Sequence, residues 1–256
     1  MKIINHDLPK YTELEIYPLA DVHVGDPLQD IKRVQTFIKE VLEEENRYVI
    51  VNGDILNWAS KNSVSDIYSE QLSPNEQIDK AVELLEPIKD RILVIVDGNH
   101  ERRAWKSEGI SPMYQVAKRL NIFNVYSPGA YLLFISFGKS QGRDCRKMIY
   151  SLYGKHGNGG GKRPGSKVNA MEDMTMVIDS DVYLHSHTHL PFVMKKSFFR
   201  TDYRNRKITQ VDKLLVNSNA FLKFGGYGEE KGFTPTSTQY PKIILDGIKR
   251  NSYAIL

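Results

Sequence analysis

The chain has 256 residues, 41% hydrophobic and 26% charged, which is typical of a folded globular protein with one substantial core. No apolar run approaches the roughly 20 residues of a membrane-spanning helix, and the N-terminal segment lacks the apolar stretch of a signal peptide. Cys145 is the only cysteine, which excludes an internal disulfide and a thiolate metal cluster, so we expect a reducing, cytoplasmic location. The net charge of +4 does not by itself indicate a nucleic-acid partner.

The first half of the chain alternates strands with helices. Short runs rich in Val, Ile and Leu predict buried strands at 14–20, 48–52 and 91–97. Apolar residues at helical spacing predict one helix from about Ile31 to Leu42 and another from near Pro74 to Ile88. Ser111 and Pro112 predict the N-cap and first turn of a helix that runs to about Leu120.

The second half of the chain is richer in predicted strands. They lie at 131–137, 148–154, 181–187, 213–218 and 242–247. No internal repeat or long linker divides the chain, so we expect one domain over residues 1–256.

Residues that can bind metals follow the predicted strands. They are Asp21, His23, Asp54, Asn99, His100, His156, His187 and His189. The carboxyl ends of neighbouring strands meet in one crevice of an α/β sheet, so we expect these side chains to converge. Each short motif is weak evidence alone, but the ordered set predicts one shared site.

In chain order the motifs read Asp-x-His, Gly-Asp, Gly-Asn-His-Glu, a single His and Ser-His-Thr-His. This order resembles the calcineurin-like metallophosphoesterase family across about residues 15–220, although Ser186 stands where glycine is usual. The resemblance implies an α/β fold, specifically a four-layer α-β-β-α sandwich. Two mixed β-sheets would be flanked by helices, with a dimetal site at the carboxyl ends of the strands.

The resemblance also implies a ligand set. By the family pattern Asp21, His23, Asp54 and His189 hold one metal, and Asp54 bridges to a second metal held by Asn99, His156 and His187. Imidazole and oxygen donors without cysteine favour two divalent ions, with Mn preferred and Fe or Zn as alternatives. A hydroxide bridging the metals would attack the phosphorus in line.

Three further histidines are assigned separately. The resemblance implies that His100 protonates the leaving-group oxygen, the alternative being a hydrogen bond that supports a ligand. His185 has no role in the motif, so we expect it to be structural, and we expect His6 to be solvated.

The substrate is less closely specified. Protein serine/threonine phosphatases continue their second motif as GDxxDRG, whereas here Asn57 and Trp58 occupy the aspartate and arginine positions. The first motif, ADVHVG, is closer to SbcD-like nucleases and related phosphodiesterases. Arg102 and Arg103 could grip the phosphate in place of the missing arginine, or form surface salt bridges.

Basic side chains concentrate in residues 139–167 and 195–213, which we interpret either as a positive rim for a phosphate-bearing substrate or as solvated loops. A mobile glycine-rich flap is predicted at 157–167, with Lys162, Arg163 and Lys167 as phosphate contacts; a purely structural loop is the alternative. We therefore expect a phosphodiesterase with nucleic acid or nucleotide as partner. The alternatives are a phosphomonoesterase acting on a nucleotide, sugar phosphate or phosphoprotein, and a non-catalytic metal-binding scaffold.

Overall fold

The computed structural model describes residues 1–9, 11–60, 63, 67–138 and 147–256. Its strands are β1 (Lys2–Asp7), β2 (Glu13–Leu19), β3 (Arg47–Val51), β4 (Ile92–Val96), β5 (Tyr126–Ser127), β6 (Tyr131–Phe137), β7 (Met148–Gly154), β8 (Val182–His185), β9 (Phe192–Asp202), β10 (Lys207–Asn217), β11 (Lys242–Asp246) and β12 (Ser252–Ile255). Its α-helices are α1 (Ile31–Leu42), α2 (Pro74–Leu85), α3 (Asn99–Glu108), α4 (Pro112–Arg119), α5 (Pro164–Glu172) and α6 (Gly226–Glu230). No helix in these ranges is long and apolar enough to cross a membrane.

The strands form two six-stranded mixed sheets. The first sheet has the order β1-β6-β7-β8-β10-β9, in which β7, β8 and the end of β10 run parallel. The second has the order β12-β11-β2-β3-β4-β5, in which β2 to β5 run parallel. In both sheets an antiparallel hairpin closes one side of the parallel strands, β9–β10 in the first and β11–β12 in the second.

Helices cover the outer faces of both sheets. The main core contains buried side chains from both sheets together with the apolar faces of α1, α2 and α4. A smaller cluster packs Met171 of α5 and the nearby Met174 against Tyr153, Tyr183 and Leu215 of the first sheet. The four-layer α-β-β-α fold predicted from the sequence is therefore confirmed.

The elements that the sequence did not predict lie mostly at the edges. Strand β1 buries only Ile4, so its pattern carries no core signal. Its His6 is half-buried, and Nε2 lies 2.7 Å from the carbonyl oxygen of Leu93, at the point where the register between β3 and β4 shifts. The prediction of a solvated His6 is therefore wrong.

Two predicted loops also contain regular structure. Residues 195–213 belong to the β9–β10 hairpin, whereas 139–146 of the other basic segment lie outside the described residues. The flap ends earlier than expected, because α5 begins at Pro164. Lys167 is buried in α5 and donates to the carbonyl oxygen of Thr188 at 2.7 Å. It is thus not an exposed phosphate contact.

Candidate metal centre

The predicted ligands lie where strands of both sheets end. Asp21 and His23 follow β2, Asp54 follows β3, and Asn99 opens α3 directly after β4. His156 follows β7, and His187 and His189 follow β8. Because β2, β3 and β4 are parallel neighbours in one sheet, and β7 and β8 in the other, their carboxyl ends bring both ligand sets to one edge of the sandwich.

The first ligand group combines Asp21, His23 and His189. One potential ligand atom from each lies within 4.8 Å of the others. Nε2 of His189 is 3.0 Å from Oδ1 of Asp21, and Nε2 of His23 is 4.0 Å from the same oxygen. Asp21 is fully buried and His23 nearly so, whereas the side chain of His189 is 37% exposed and opens the group to solvent.

The second ligand group combines Asp54, His156 and His187, whose ligand atoms also lie within 4.8 Å of one another. Nε2 of His156 is 3.0 Å from Oδ2 of Asp54 and 3.2 Å from Oδ1 of Asn99. The same nitrogen is 3.9 Å from Oδ1 of Asp21 in the first group. The two groups are therefore adjacent, as a dinuclear site requires.

The histidine tautomers suit metal binding. Nδ1 of His156 lies 2.7 Å from the carbonyl oxygen of Asn52, which can only accept, so Nδ1 carries the hydrogen. Nδ1 of His23 lies 3.3 Å from Oδ1 of Asn57, and the orientation of that amide is fixed because its Nδ2 donates to Glu70. With the hydrogen on Nδ1, Nε2 of each ring faces the carboxylates and can bind a metal ion once it carries no proton, and the buried Nε2 of His23 has no hydrogen-bond partner among the described residues. This donor set fits divalent metal ions.

The electrostatics of the site favour a cation between the two carboxylates. Burial alone would raise the pKa of Asp21, but His189 and His156 outweigh it and hold the pKa at about 2. Burial alone would lower the pKa of His156, but Asp54 and Asp21 outweigh it and raise the pKa to about 10. Without metal, a proton on His156 offsets the carboxylate charge, and a bound metal ion would replace that proton.

Five of the predicted ligands have left-handed backbone conformations. Their φ angles are 53° for Asp21, 51° for His23, 51° for Asp54, 67° for His187 and 52° for His189. This region costs a residue other than glycine about 1 kcal/mol or more. The strain turns each ligand sharply at the end of its strand, and such strain is concentrated at functional sites.

His100 lies beside the ligand groups. Nδ1 is 2.6 Å from the carbonyl oxygen of Asn57 and so donates to it, while Nε2 is 3.8 Å from Oδ2 of Asp54. The ring centroid is 4.4 Å from that of His23. Burial and the charge of Arg103 lower the pKa of His100, against the opposing charge of Asp54.

The four candidate substrate contacts differ in position. Arg102 is exposed, whereas Arg103 is half-buried and its Nη1 is buried without a hydrogen-bond partner in the described part of the chain. Burial lowers the pKa of Arg103, against the opposing charges of Asp54, Glu101 and Glu70. Lys162 and Arg163 are exposed at the start of α5.

Several supporting residues were missed by sequence reasoning. The carboxylate of Glu101 accepts hydrogen bonds from the backbone N–H groups of Gly98, Leu56 and Asp54 at 2.8, 2.9 and 3.1 Å. Oδ1 of Asn217 lies 2.8 Å from Nδ1 of His185. Nδ2 of Asn217 donates to the hydroxyl of Thr188 and to the carbonyl oxygen of Leu190. His185 thus supports the turn that carries His187 and His189, and it belongs to neither ligand group.

Comparison with known proteins identifies the family of the chain. Residues 16–191 match the model of the calcineurin-like phosphoesterase family. No curated protein sequence matches the chain significantly.

Solved structures with similar architecture are distant in sequence. A predicted phosphoesterase from Streptococcus pneumoniae TIGR4 is 14% identical, with 91% of this chain and 84% of that one covered and a TM-score of 0.38. A metallophosphoesterase from Sphaerobacter thermophilus is 12% identical, with 91% and 84% covered and a TM-score of 0.43. Vacuolar Protein Sorting 29 from Cryptosporidium parvum is 15% identical, with 96% and 98% covered and a TM-score of 0.44. Likenesses this distant say nothing about the substrate. The family match covers more than half of the chain, and the chain therefore belongs to the calcineurin-like phosphoesterase family and is a metal-dependent phosphoesterase.

Proposed function

We propose that this chain is a two-metal phosphodiesterase that acts on nucleotide or nucleic-acid esters. The observation that carries the proposal is the pair of adjacent ligand groups, linked through His156, which lies near both Asp21 and Asp54. Asp21, His23, Asp54 and His189 would hold one ion, and Asp54, Asn99, His156 and His187 the other. Two divalent ions, with Mn as the first candidate, would lower the pKa of water and offset the negative charge of the phosphate.

His100 is proposed as the general acid. Its Nδ1–H is held by the carbonyl oxygen of Asn57, so proton exchange can occur only at Nε2, which faces Asp54 and the site. A protonated Nε2 can donate to the leaving-group oxygen as the P–O bond breaks. The lowered pKa makes protonated His100 a stronger acid than an ordinary imidazolium.

The cations around the site favour a diester over a monoester. Trp58 is buried, with 6% of its surface exposed, and contributes no charge where protein phosphatases carry arginine. Arg103 is then the guanidinium that we assign to the phosphate, because the charge of Asp54 acts on it and its Nη1 has no hydrogen-bond partner among the described residues. A diester carries one negative charge and a monoester about two, so one assigned arginine contact, Arg103, suits the diester.

A nucleic-acid substrate draws support from the exposed Lys162 and Arg163, which follow His156 by six and seven residues in the chain. The β9–β10 hairpin adds less positive charge for binding nucleic acid than its composition indicates, because three of its basic side chains form ion pairs. Lys196 pairs with Glu172, and Asp179 pairs with both Arg200 and Lys213.

We also propose that residues 1–256 form a single domain.

The test is a metal-dependent panel of substrates. Metal-depleted protein is reloaded with Mn²⁺ and assayed on bis-p-nitrophenyl phosphate, p-nitrophenyl phosphate, and single- and double-stranded DNA, with Asp54→Ala as the inactive control. We expect metal-dependent hydrolysis of the diester, and DNA binding that weakens steeply with added salt. Activity on the monoester alone would overturn the diesterase assignment, and a fully loaded protein inert on all four would indicate a non-catalytic scaffold.

A further inference from the structure

Glu70 lies four residues before α2, and its carboxylate joins two side-chain amides. Oε1 of Glu70 accepts a hydrogen bond from Nδ2 of Asn57, and Oε2 accepts one from Nε2 of Gln77. Burial raises the pKa of this carboxyl, whereas hydrogen bonds from Asn57, the backbone of Ala59 and Gln77 favour its charged form. Glu70 belongs to none of the metal-binding groups found among the described residues, so its contacts with the site run through these amides.

The amide of Gln77 cannot turn over without losing hydrogen bonds. Its Nε2 also donates to the carbonyl oxygen of Leu72 at 3.0 Å, and its Oε1 accepts from the backbone N–H of Trp58 at 2.9 Å. Exchange of the nitrogen and oxygen positions would set two donors against each other at Trp58 and two acceptors against each other at Leu72. Gln77 therefore presents a donor to Glu70.

The amide of Asn57 is oriented by Glu70 in turn. With Nδ2 directed at Glu70, Oδ1 of Asn57 accepts from Nδ1 of His23 at 3.3 Å. A metal-bound imidazole is neutral and carries a hydrogen on only one nitrogen, so this bond leaves Nε2 of His23 free for a metal ion. In the opposite orientation Nδ2 of Asn57 would face Nδ1 of His23, which would then have to accept. The hydrogen would move to Nε2 and block the nitrogen that faces the site.

We propose that Glu70 is a positioning residue that sets the tautomer of His23, and thereby the affinity for the ion that His23 would hold. The inference rests on the metal site of the proposed function but not on its substrate. A carboxylate is needed at position 70 because it offers two acceptor oxygens to the two amide donors that face it. Glutamine offers one acceptor and one donor, so in Glu70→Gln the fixed amide of Gln77 takes the acceptor and the amide of Asn57 must turn over.

The first test compares variants of residue 70 by calorimetric titration of the metal-free protein with Mn²⁺. In Glu70→Gln we expect the affinity for one ion to fall about 10–100-fold, the usual effect of changing a residue that orients a ligand. Glu70→Ala removes the same charge but introduces no donor, so Asn57 can keep its orientation and the fall should be smaller. Equal falls in both variants would show that only the charge matters and would overturn the proposal. Glu83→Gln, which replaces a carboxylate 68% exposed on α2, is the matched control and should leave the affinity unchanged.

A double variant tests the pairing of donors and acceptors. In Glu70→Gln combined with Asn57→Asp, the amide at position 70 donates to the carboxylate at position 57, which accepts from Nδ1 of His23 as the Asn57 amide does. We expect the double variant to fold and to bind Mn²⁺ more tightly than Glu70→Gln, even if that single variant folds poorly. A double variant that binds Mn²⁺ no better than the single variant would overturn the proposal.

The tautomer of His23 is measured by ¹⁵N NMR of the metal-free protein at about pH 8, where an imidazole with the usual pKa of about 6.5 is neutral. The His23 signals are assigned by their loss in His23→Gln. We expect the hydrogen on Nδ1 in the wild type and on Nε2 in Glu70→Gln, and the same tautomer in both would overturn the proposal. Neither the NMR nor the calorimetric measurement depends on turnover. A wild-type protein that binds Mn²⁺ with the expected tautomer but hydrolyses no phosphoester would therefore overturn the proposed function alone.

Discussion

Asn52 holds together the two strand ends that carry the second ligand group, and its replacement by leucine is the sharpest structural test. Its Nδ2 donates to the carbonyl oxygen of Lys155 at 3.0 Å and to Oγ of Ser186 at 2.6 Å. Its Oδ1 accepts from the hydroxyl of Tyr131 at 3.1 Å. Lys155 precedes His156 and Ser186 precedes His187, so one fully buried amide links both ligand segments.

The loss of unfolding free energy in Asn52→Leu is calculated from the polar groups that lose their hydrogen-bond partner. Leucine fills a similar volume, so the cavity contribution is small. Ser186 keeps a hydrogen bond with Ser218 at 2.8 Å, but the Lys155 carbonyl and the Tyr131 hydroxyl lose the partners described above. A buried polar group left unpaired costs about 1–3 kcal/mol, so the variant should lose about 2–6 kcal/mol of unfolding free energy. That is a large share of the about 5–15 kcal/mol that stabilises a domain.

Urea unfolding measures this loss, and a double-mutant cycle checks its origin. Tyr131→Phe removes the hydroxyl that Asn52→Leu strands, so the double variant should be less destabilised than the sum of the singles by about 1 kcal/mol or more. Metal affinity should fall about 10–100-fold in Asn52→Leu, as for other residues that orient ligands. A loss of stability below about 1 kcal/mol, well under the calculated range, or strict additivity in the cycle, would refute this reasoning.

The remaining predictions concern the metals and the acid. Asp54→Ala should lose both ions together, and elemental analysis that finds one ion fully retained would contradict the bridging role. His100→Ala should keep both ions and slow turnover of a poor leaving group by about 10²–10⁴-fold, with a smaller effect on a p-nitrophenyl ester; equal slowing of both would exclude the acid role. Arg103→Leu should raise KM for bis-p-nitrophenyl phosphate, whereas Arg102→Leu, on the exposed side of α3, should not; equal effects would show that the buried guanidinium has no special role. Removing the metal ions with a chelator should lower Tm, because a metal ion present at 100 times its Kd stabilises the folded state by about 2.7 kcal/mol.

The ligand positions could be predicted from the sequence because metal chemistry restricts residue types. Only a few types of side chain bind divalent ions, and the ends of predicted buried strands indicate where such side chains will converge. Asp54 and His189 therefore stood out although 135 positions separate them, and the structure places them in the two adjacent groups. The central strands were predictable because they are continuous apolar runs, whereas their arrangement in a four-layer sandwich was implied by the family resemblance.

The supporting residues could not be predicted because their roles arise only from tertiary contacts. Asn52 and Asn217 are ordinary polar residues in the sequence, yet each is fully buried and bonded across strands. Helix α3 was missed because only His100, Glu101 and Ala104 are buried, and two of these are polar. Strand β9 was missed because exposed basic and aromatic side chains interrupt its alternation.

The turn at Asn57 and Trp58 connects these observations. Trp58 has a φ of 43°, a conformation that is rare for a bulky side chain, and its N–H bond to Gln77 and its burial hold it there. That conformation places the Asn57 carbonyl on His100 and the Asn57 amide on His23, so one turn orients the proposed acid and a proposed ligand. The family resemblance places a phosphate-gripping arginine at this position in protein phosphatases. Here the same position carries a buried indole, so the turn orients two histidines of the candidate site without adding a charge to it.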